Sequence, residues 1–306
     1  MSDQLDHKAL LATFTPETRA ALTLTEDRAG LLHLAGHLSV IAALAAWVGL
    51  ALPFWPVALL PLGIALSFLF TLEHECTHQT PFRTSWLNET VGHGAGFLIG
   101  IPFHWFRAFH MAHHRHTNDP DHDPELASKK PETRVQLLGY LLGLAYWRDK
   151  ALTLFRLAFG DLNDPFLSPR QHSRVRREAR AMLAGYAALV LASLLFGQVL
   201  FWIWLLPLIL GFPFLRVYLL SEHDGCPAVP DMFDNTRTTL TNRLIRALAW
   251  NMPYHAEHHA FPQVPFHRLG ALHSMAKPHL KQIGHSYAQQ VIAKAEALSP
   301  TKHPQQ

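Results

Sequence analysis

The chain has 306 residues, of which 49% are hydrophobic and only 16% charged, and its formal net charge is +3. Ordinary soluble domains carry roughly 25% charged residues, so this composition excludes a disordered chain and a coiled coil, and the near-neutral balance implies no nucleic-acid surface. Two cysteines, Cys76 and Cys226, form no CxxC motif and exclude a disulfide scaffold, while the 22 histidines nearly equal the 23 acids.

In chain order, residues 1–29 form a polar segment predicted to lie in the cytoplasm, without the basic stretch and apolar core of a cleaved signal peptide. Residues 29–72 carry no charge. About 20 apolar residues cross a bilayer, so this stretch predicts two spans, about 30–50 and 54–73, turning at Pro53-Phe54-Trp55-Pro56. Residues 91–103 are apolar but too short to span, which predicts a re-entrant or interfacial segment. Residues 136–159 mix Leu, Tyr and Trp with Arg148, Lys150 and Arg156, the pattern of a helix lying along the membrane surface. Five arginines lie between Arg170 and Arg180, which places a basic patch before the third span and offers a dock for anionic lipid or an acidic redox partner. A second uncharged stretch, 181–215, predicts spans at about 181–198 and 200–220 with a turn at Gly197-Gln198. None of these stretches has the polar face a soluble helix needs.

Neither outer turn contains lysine or arginine, so the basic segments fall together on the cytoplasmic face. The expected fold is all-α: an integral membrane protein of two transmembrane hairpins, with a cytoplasmic helical cap holding a histidine-rich dimetal site. Residues 30–290 form the membrane domain and 291–306 a C-terminal tail.

The histidines fall into clusters. His74 and His78 stand four apart, and His110, His113, His114 and His255, His258, His259 repeat the spacing HxxHH. On a helix, positions i, i+3 and i+4 share a face, so each group can present its imidazoles to one centre. His223 follows the fourth span. Nine imidazoles exceed the four ligands of a tetrahedral zinc and suit two metals with open positions. Imidazole serves iron, zinc, copper and nickel alike.

Three segments carry a resemblance: residues 71–88 (TLEHECTHQTPFRTSWLN), 109–126 (FHMAHHRHTNDPDHDPEL) and 251–269 (NMPYHAEHHAFPQVPFHRL). With the four-span layout they are similar to the histidine boxes of the membrane fatty acid desaturase and hydroxylase superfamily, over about residues 30–290. The resemblance implies a pair of irons held by His74, His78, His110, His113, His114, His255, His258 and His259. His223 resembles the additional ligand by placement, and Asn251 is implied as an outer or water-mediated contact. It implies an oxygen-dependent enzyme that takes dioxygen and two external electrons and acts on an unactivated C–H bond. No side chain beyond the metal ligands acts as nucleophile or base. Residues 251–262 resemble the third box of acyl-lipid desaturases most, which favours an alkene product over the alcohol or ketone of a hydroxylase or ketolase.

Other expectations follow from the chemistry. Outer imidazole nitrogens need carboxylates or carbonyls, and Glu75, Asp123, Glu222, Asp224 and Glu257 are near in sequence. An alkyl substrate calls for an apolar tunnel, with Phe97, Phe103, Trp105 and Phe106 as candidates. With no CxxC cluster site, electrons are expected from an external ferredoxin, rubredoxin or cytochrome b5. Two rivals remain at this stage. His74-Glu75-Cys76-Thr77-His78 also matches HExxH, the signature of a zinc metalloprotease. The pair His33 and His37 inside the first span fits a metal transporter. His116 lies close to the second box, His93, His104, His122 and His267 are expected to be structural or outer contacts of the metal ligands, and His7, His172, His279, His285 and His303 to lie at the surface.

Overall fold

The computed structural model of the protein describes residues 4–127 and 130–298. The chain opens with two short helices. Asp6 caps α1 (His7–Ala12) by accepting the Ala9 amide, and Thr15 caps α2 (Pro16–Leu22), whose first residue, proline, has no amide to leave unpaired. The long α3 (Asp27–Gly49) follows, then a reversal through Ala51 and Phe54, both at positive φ. A 3₁₀ turn at Trp55–Ala58 leads into α4 (Leu59–Ser67) and α5 (Leu69–Thr77). The return half of the chain contains α6 (Ser85–Ile99), α7 (Phe103–His116), α8 (Arg134–Leu142), α9 (Leu144–Phe159), α10 (Pro169–Phe196) and α11 (Leu206–His223). The remaining elements are α12 (Met232–Asn235), α13 (Arg243–Leu248), α14 (His255–Ala260), α15 (Leu269–Ala276) and α16 (Tyr287–Ala297). Strand β1 (Thr238–Thr239) pairs in parallel with β2 (Ile283–Gly284) and ties the last helices to the end of α11.

Among the described residues, four stretches are long and apolar enough to cross a membrane: Pro16–Gly49, Trp55–Thr77, Pro169–Phe196 and Phe201–His223. Both expected turns are present, the second at Gly197 with φ 103°. The outer surfaces of α3 and α10 are apolar, with Leu32, Val40, Leu50, Val190, Leu194 and Phe196 at least half exposed. Such a surface suits lipid rather than water.

The helices run further than the charge pattern suggests. The second span reaches Thr77, past the expected end at about 73, and Glu73 and Glu75 on its last turns are fully buried. The third begins at Pro169, where Ser168 and Gln171 form a capping box, so the arginine-rich segment is the exposed first part of the same helix. Residues 91–103 do not make a re-entrant loop. They belong mostly to α6, which packs along α5 and stops at Gly100 in the left-handed region. The expected surface helix at 136–159 is broken at Gly143, φ 69°, where a Cβ would lie 2.5 Å from the Phe212 ring. Val135, Leu138, Leu144, Leu152, Phe155 and Phe159 make the outer face of α8 and α9 apolar.

Two contacts fix the positions of the ligand-bearing helices. Gly63 on α4 and Gly211 on α11 touch backbone to backbone, and a Cβ on Gly211 would lie 1.9 Å from the Gly63 carbonyl carbon. Glu178 on α10 accepts the amides of Phe103 (2.8 Å) and His104 (2.9 Å), capping α7 from another helix, and pairs with His93 at 2.7 Å.

Candidate metal centre

Each histidine cluster sits where its helix ends or starts. His74 occupies the last turn of α5 and His78 is that helix's C-cap. Residues 110, 113 and 114 fall on the last turns of α7, His223 closes α11, and the third triplet makes up half of the six-residue α14. All nine rings are buried or half-buried.

They converge as two groups. Ligand atoms of His74, His78, His110, His114 and His258 all lie within 4.8 Å of one another, and so do those of His113, His223 and His259. His255 joins the second group, its Nε2 3.2 Å from His223 Nε2 and 3.1 Å from His259 Nε2. In the first group Nε2 atoms approach to 2.8 Å between His78 and His110 and to 3.2 Å between His114 and His258. Sequence spacing assigned one triplet to one centre. The structure splits each triplet between the two, because i and i+4 share a line while i+3 leans to its side.

The outer nitrogens show what these rings can hold. Thr117 gives its hydroxyl hydrogen to the His113 carbonyl (2.9 Å), so its oxygen accepts from His259 Nδ1 (3.1 Å). His113 Nδ1 donates to Asp123 (2.9 Å) and lies 3.2 Å from Glu125; His223 Nδ1 faces the Asn235 carbonyl (3.4 Å), and His255 Nδ1 lies 3.3 Å from Glu222. With their Nδ1 protons held outside, His259 and His223 turn bare Nε2 lone pairs toward His255 Nε2, 3.1 and 3.2 Å away. Such lone pairs repel unless a cation lies between them. Both ring nitrogens of His74 are also buried without a partner. The donor set therefore fits metal ions, and it is the set that imidazole-binding transition metals use.

Electrostatics agree. Burial first, and neighbouring imidazoles second, hold His110, His114, His255, His258 and His259 well below the usual histidine range. His78 is pushed down to about 3 by burial, with Arg107 adding to it. Neutral rings at neutral pH are ready ligands. His113 is the exception. Burial lowers it, but Glu125 and the hydrogen-bonded Asp123 outweigh that and raise it.

A cavity of about 1000 Å³ opens onto both groups; His74, His110, His113, His223 and His255 form part of its wall. Trp105 and Phe106 line it as expected, joined by Phe70, Ile101 and Phe109. Phe97 and Phe103 do not. Phe97 packs on Tyr186 and Trp204, and Phe103 fills the space above Gly92 under the Arg107 guanidinium.

Of the acids near the boxes, Asp123 and Glu222 reach ring nitrogens, and Glu75 stands 3.9 Å from His258 Nδ1 while accepting from Thr80. Glu257 instead binds Thr238 and His273, and Asp224 pairs with Lys294. Glu125, Thr117 and the Asn235 carbonyl were not singled out by sequence. Thr117 caps the end of α7, Glu125 lies in a 3₁₀ turn and Asn235 ends α12, and local spacing does not show that these come to the rings. Asn251, at φ 56°, donates its side-chain amide to the Phe266 carbonyl (3.0 Å) and shapes the turn before α14.

Other histidines are accounted for. The Trp250 indole donates to His37 Nδ1 (3.2 Å), which leaves Nε2 to donate to the Ala65 carbonyl (2.9 Å), and His33 Nε2 donates to the Ala247 carbonyl (2.7 Å). That pair braces α3 against its neighbours. His116 stacks with His122 beside Asp119, apart from both groups. His7, expected at the surface, is buried against Asp231 at 3.1 Å because α1 packs on α12. His303 lies outside the described residues.

Comparison with known proteins gives a consistent picture. The family model described as fatty acid desaturase matches residues 50–291. The sn-1 oleoyl-lipid 12-desaturase of Picosynechococcus sp. is 27% identical over 259 residues, covering 78% of this chain and 72% of that protein. The chloroplastic omega-6 fatty acid desaturase of Arabidopsis thaliana is 25% identical over 247 residues, 71% of this chain and 53% of that protein. The sn-1 acyl-lipid omega-3 desaturase (ferredoxin) of Nostoc sp. is 36% identical over 70 residues, 23% of this chain and 20% of its own length.

Proposed function

The chain belongs to the fatty acid desaturase family, and from that premise we propose that it is an acyl-lipid desaturase working at two irons with dioxygen as co-substrate. The observation that supports this reading is the two neighbouring sets of imidazoles at the wall of a cavity of about 1000 Å³. Its ligands are His74, His78, His110, His114 and His258 for one iron, and His113, His223, His255 and His259 for the other. Bound there, two irons would supply the oxidising power for removing one hydrogen from each of two adjacent carbons; those two hydrogens, two donor electrons and two protons together reduce dioxygen to two waters.

The chain's own residues position and protect. Asp123, Glu125, Thr117 and the Asn235 carbonyl hold the outer ring nitrogens of His113, His259 and His223, which fixes their tautomer and orientation, and Glu222 stands 3.3 Å from that of His255. Phe70, Ile101, Trp105, Phe106 and Phe109 give an alkyl chain an apolar path past the imidazoles and keep water from them. Electrons come from a separate donor of the ferredoxin, rubredoxin or cytochrome b5 kind, and the Nostoc relative's name includes ferredoxin. The histidine sites lie on the cytoplasmic side, with the basic start of α10. The zinc-protease reading loses support because Glu75 is tied to Thr80 behind His258 and is not part of the cavity wall.

Expression in a host of known lipid composition, followed by mass spectrometry of its acyl chains, tests the proposal. Loss of two hydrogens from a chain is the expected product; an added oxygen atom would replace desaturation by hydroxylation.

A further inference from the structure

The same cavity has a second, differently built wall. Helices α8 and α9 and the end of α11 contribute Tyr140, Tyr146, Lys150 and Arg216 to it. We propose that Lys150 and Arg216 form an anion-binding subsite that holds the polar end of the acyl substrate through a phosphate or carboxylate group. This rests on the acyl-lipid reading above and adds the charge of the substrate to it.

Three observations carry it. The first is that both cations lack a counter-ion: among the described residues no carboxylate lies within 4.0 Å of either, though the buried Glu73 attracts Lys150 from further away. The acids of the cavity wall are committed elsewhere. Glu125 and Glu222 face His113 and His255, Asp224 pairs with Lys294 (2.7 Å), Asp149 pairs with Arg148 (2.8 Å), and Glu132 is also engaged.

The second is the aromatic cradle. Lys150 Nζ stands 4.6 Å from the Tyr146 ring centre, and the Arg216 guanidinium stands 5.2 Å from the same ring and 3.6 Å from that of Tyr140. Ring faces steady a cation without using its N–H donors. Arg216 gives only Nε to the Tyr140 carbonyl (3.2 Å), so its terminal nitrogens remain for a ligand.

The third is the gathering of like charges. Both cations sit half-buried on one ring. Burial pulls Lys150 down to about 7, against the attraction of Glu73, and Arg216 adds a smaller push in the same direction as burial. Unpaired half-buried cations are costly unless an anion reaches them. A guanidinium fork and an ammonium lining one cavity suit phosphate or carboxylate oxygens.

The experiment titrates the purified full chain in neutral detergent with oleate, oleoyl phosphatidylglycerol and an uncharged oleoyl galactolipid, reading binding by native mass spectrometry. The anionic ligands should bind at least tenfold more tightly than the galactolipid. Lys150→Ala should remove that preference and Lys150→Arg should restore it. Preference for oleate alone identifies a carboxylate, and preference for the phospholipid alone identifies a headgroup phosphate. Equal affinity for all three, or unchanged selectivity in Lys150→Ala, overturns the subsite. Binding requires no turnover, so a loss of selectivity with continued desaturation sinks the subsite alone. A chain that forms no double bond in the expression host sinks the proposed function and leaves the binding result standing.

Discussion

His114 and His259 lie face to face, with ring centres 4.1 Å apart and planes 12° from parallel. One ring belongs to each group of ligands, and each is followed or preceded by a neighbour serving the other group. The two groups are thus joined through the backbone of α7 and α14, and neither can shift alone.

Loss of one ring should therefore harm both sites. His78→Ala, His114→Ala or His259→Ala is expected to abolish turnover and lower iron below two per chain, as read by elemental analysis of purified protein. His172→Ala should leave both unchanged. Full activity in His259→Ala would contradict the ligand assignment.

Asp123 holds more than one partner: His113 Nδ1 and the amides of Asn118 and Glu125. Asp123→Asn keeps the size but removes the charge that orients His113. A loss of about 10–100-fold in iron affinity or activity is expected, on the scale of other outer-sphere changes. Metal-competition titration checks it, and wild-type affinity would show that Glu125 suffices.

The buried rings set a pH dependence of known sign. His78 titrates at about 3 in the folded protein, against roughly 6.5 when unfolded. Between those values the unfolded chain binds more protons, so the stability of metal-free protein falls as pH drops from 6.5 toward 3. The five rings held well below the usual range act in the same direction. His113, raised, acts oppositely: it stabilises at low pH and loses that as pH rises through its elevated value. Thermal unfolding of metal-free protein should occur at lower temperature at pH 5 than at pH 7.5. An unchanged or higher midpoint at pH 5 would show that the rings are not buried neutral.

Glu178→Ala strips a cap from α7 and a partner from His93 at once. Leaving buried donors unpaired costs about 1–3 kcal/mol. A lower unfolding midpoint is expected, and Glu178→Gln should recover part of it by accepting one amide. Equal stability of all three proteins would mean water replaces the carboxylate.

The spans and the histidine triplets were legible because their signals are local: absence of charge over a bilayer's width, and spacing that puts rings on one helical face. The distribution of ligands between two centres was not, since it depends on how α5, α7, α11 and α14 meet. Aromatic residues show the same limit. Trp105 and Phe106 line the cavity while Phe97 and Phe103 do not, and only helix–helix packing decides which way each faces. The second span runs past its expected end at about 73, since nothing in a charge count reveals that Glu73 and Glu75 are both buried.

The glycine crossing of α4 and α11 places a fulcrum between the hairpins. His74 lies 11 positions beyond Gly63 and His223 lies 12 beyond Gly211, so each imidazole rides on a lever arm roughly 16–18 Å long. Over such an arm a tilt of about 4° moves the tip by roughly 1 Å, enough to separate ligands held to tenths of an ångström. Bulk added in mid-bilayer would thus loosen the metals from afar, and bound metals in turn would clamp the hairpins like the closed handles of a pair of tongs.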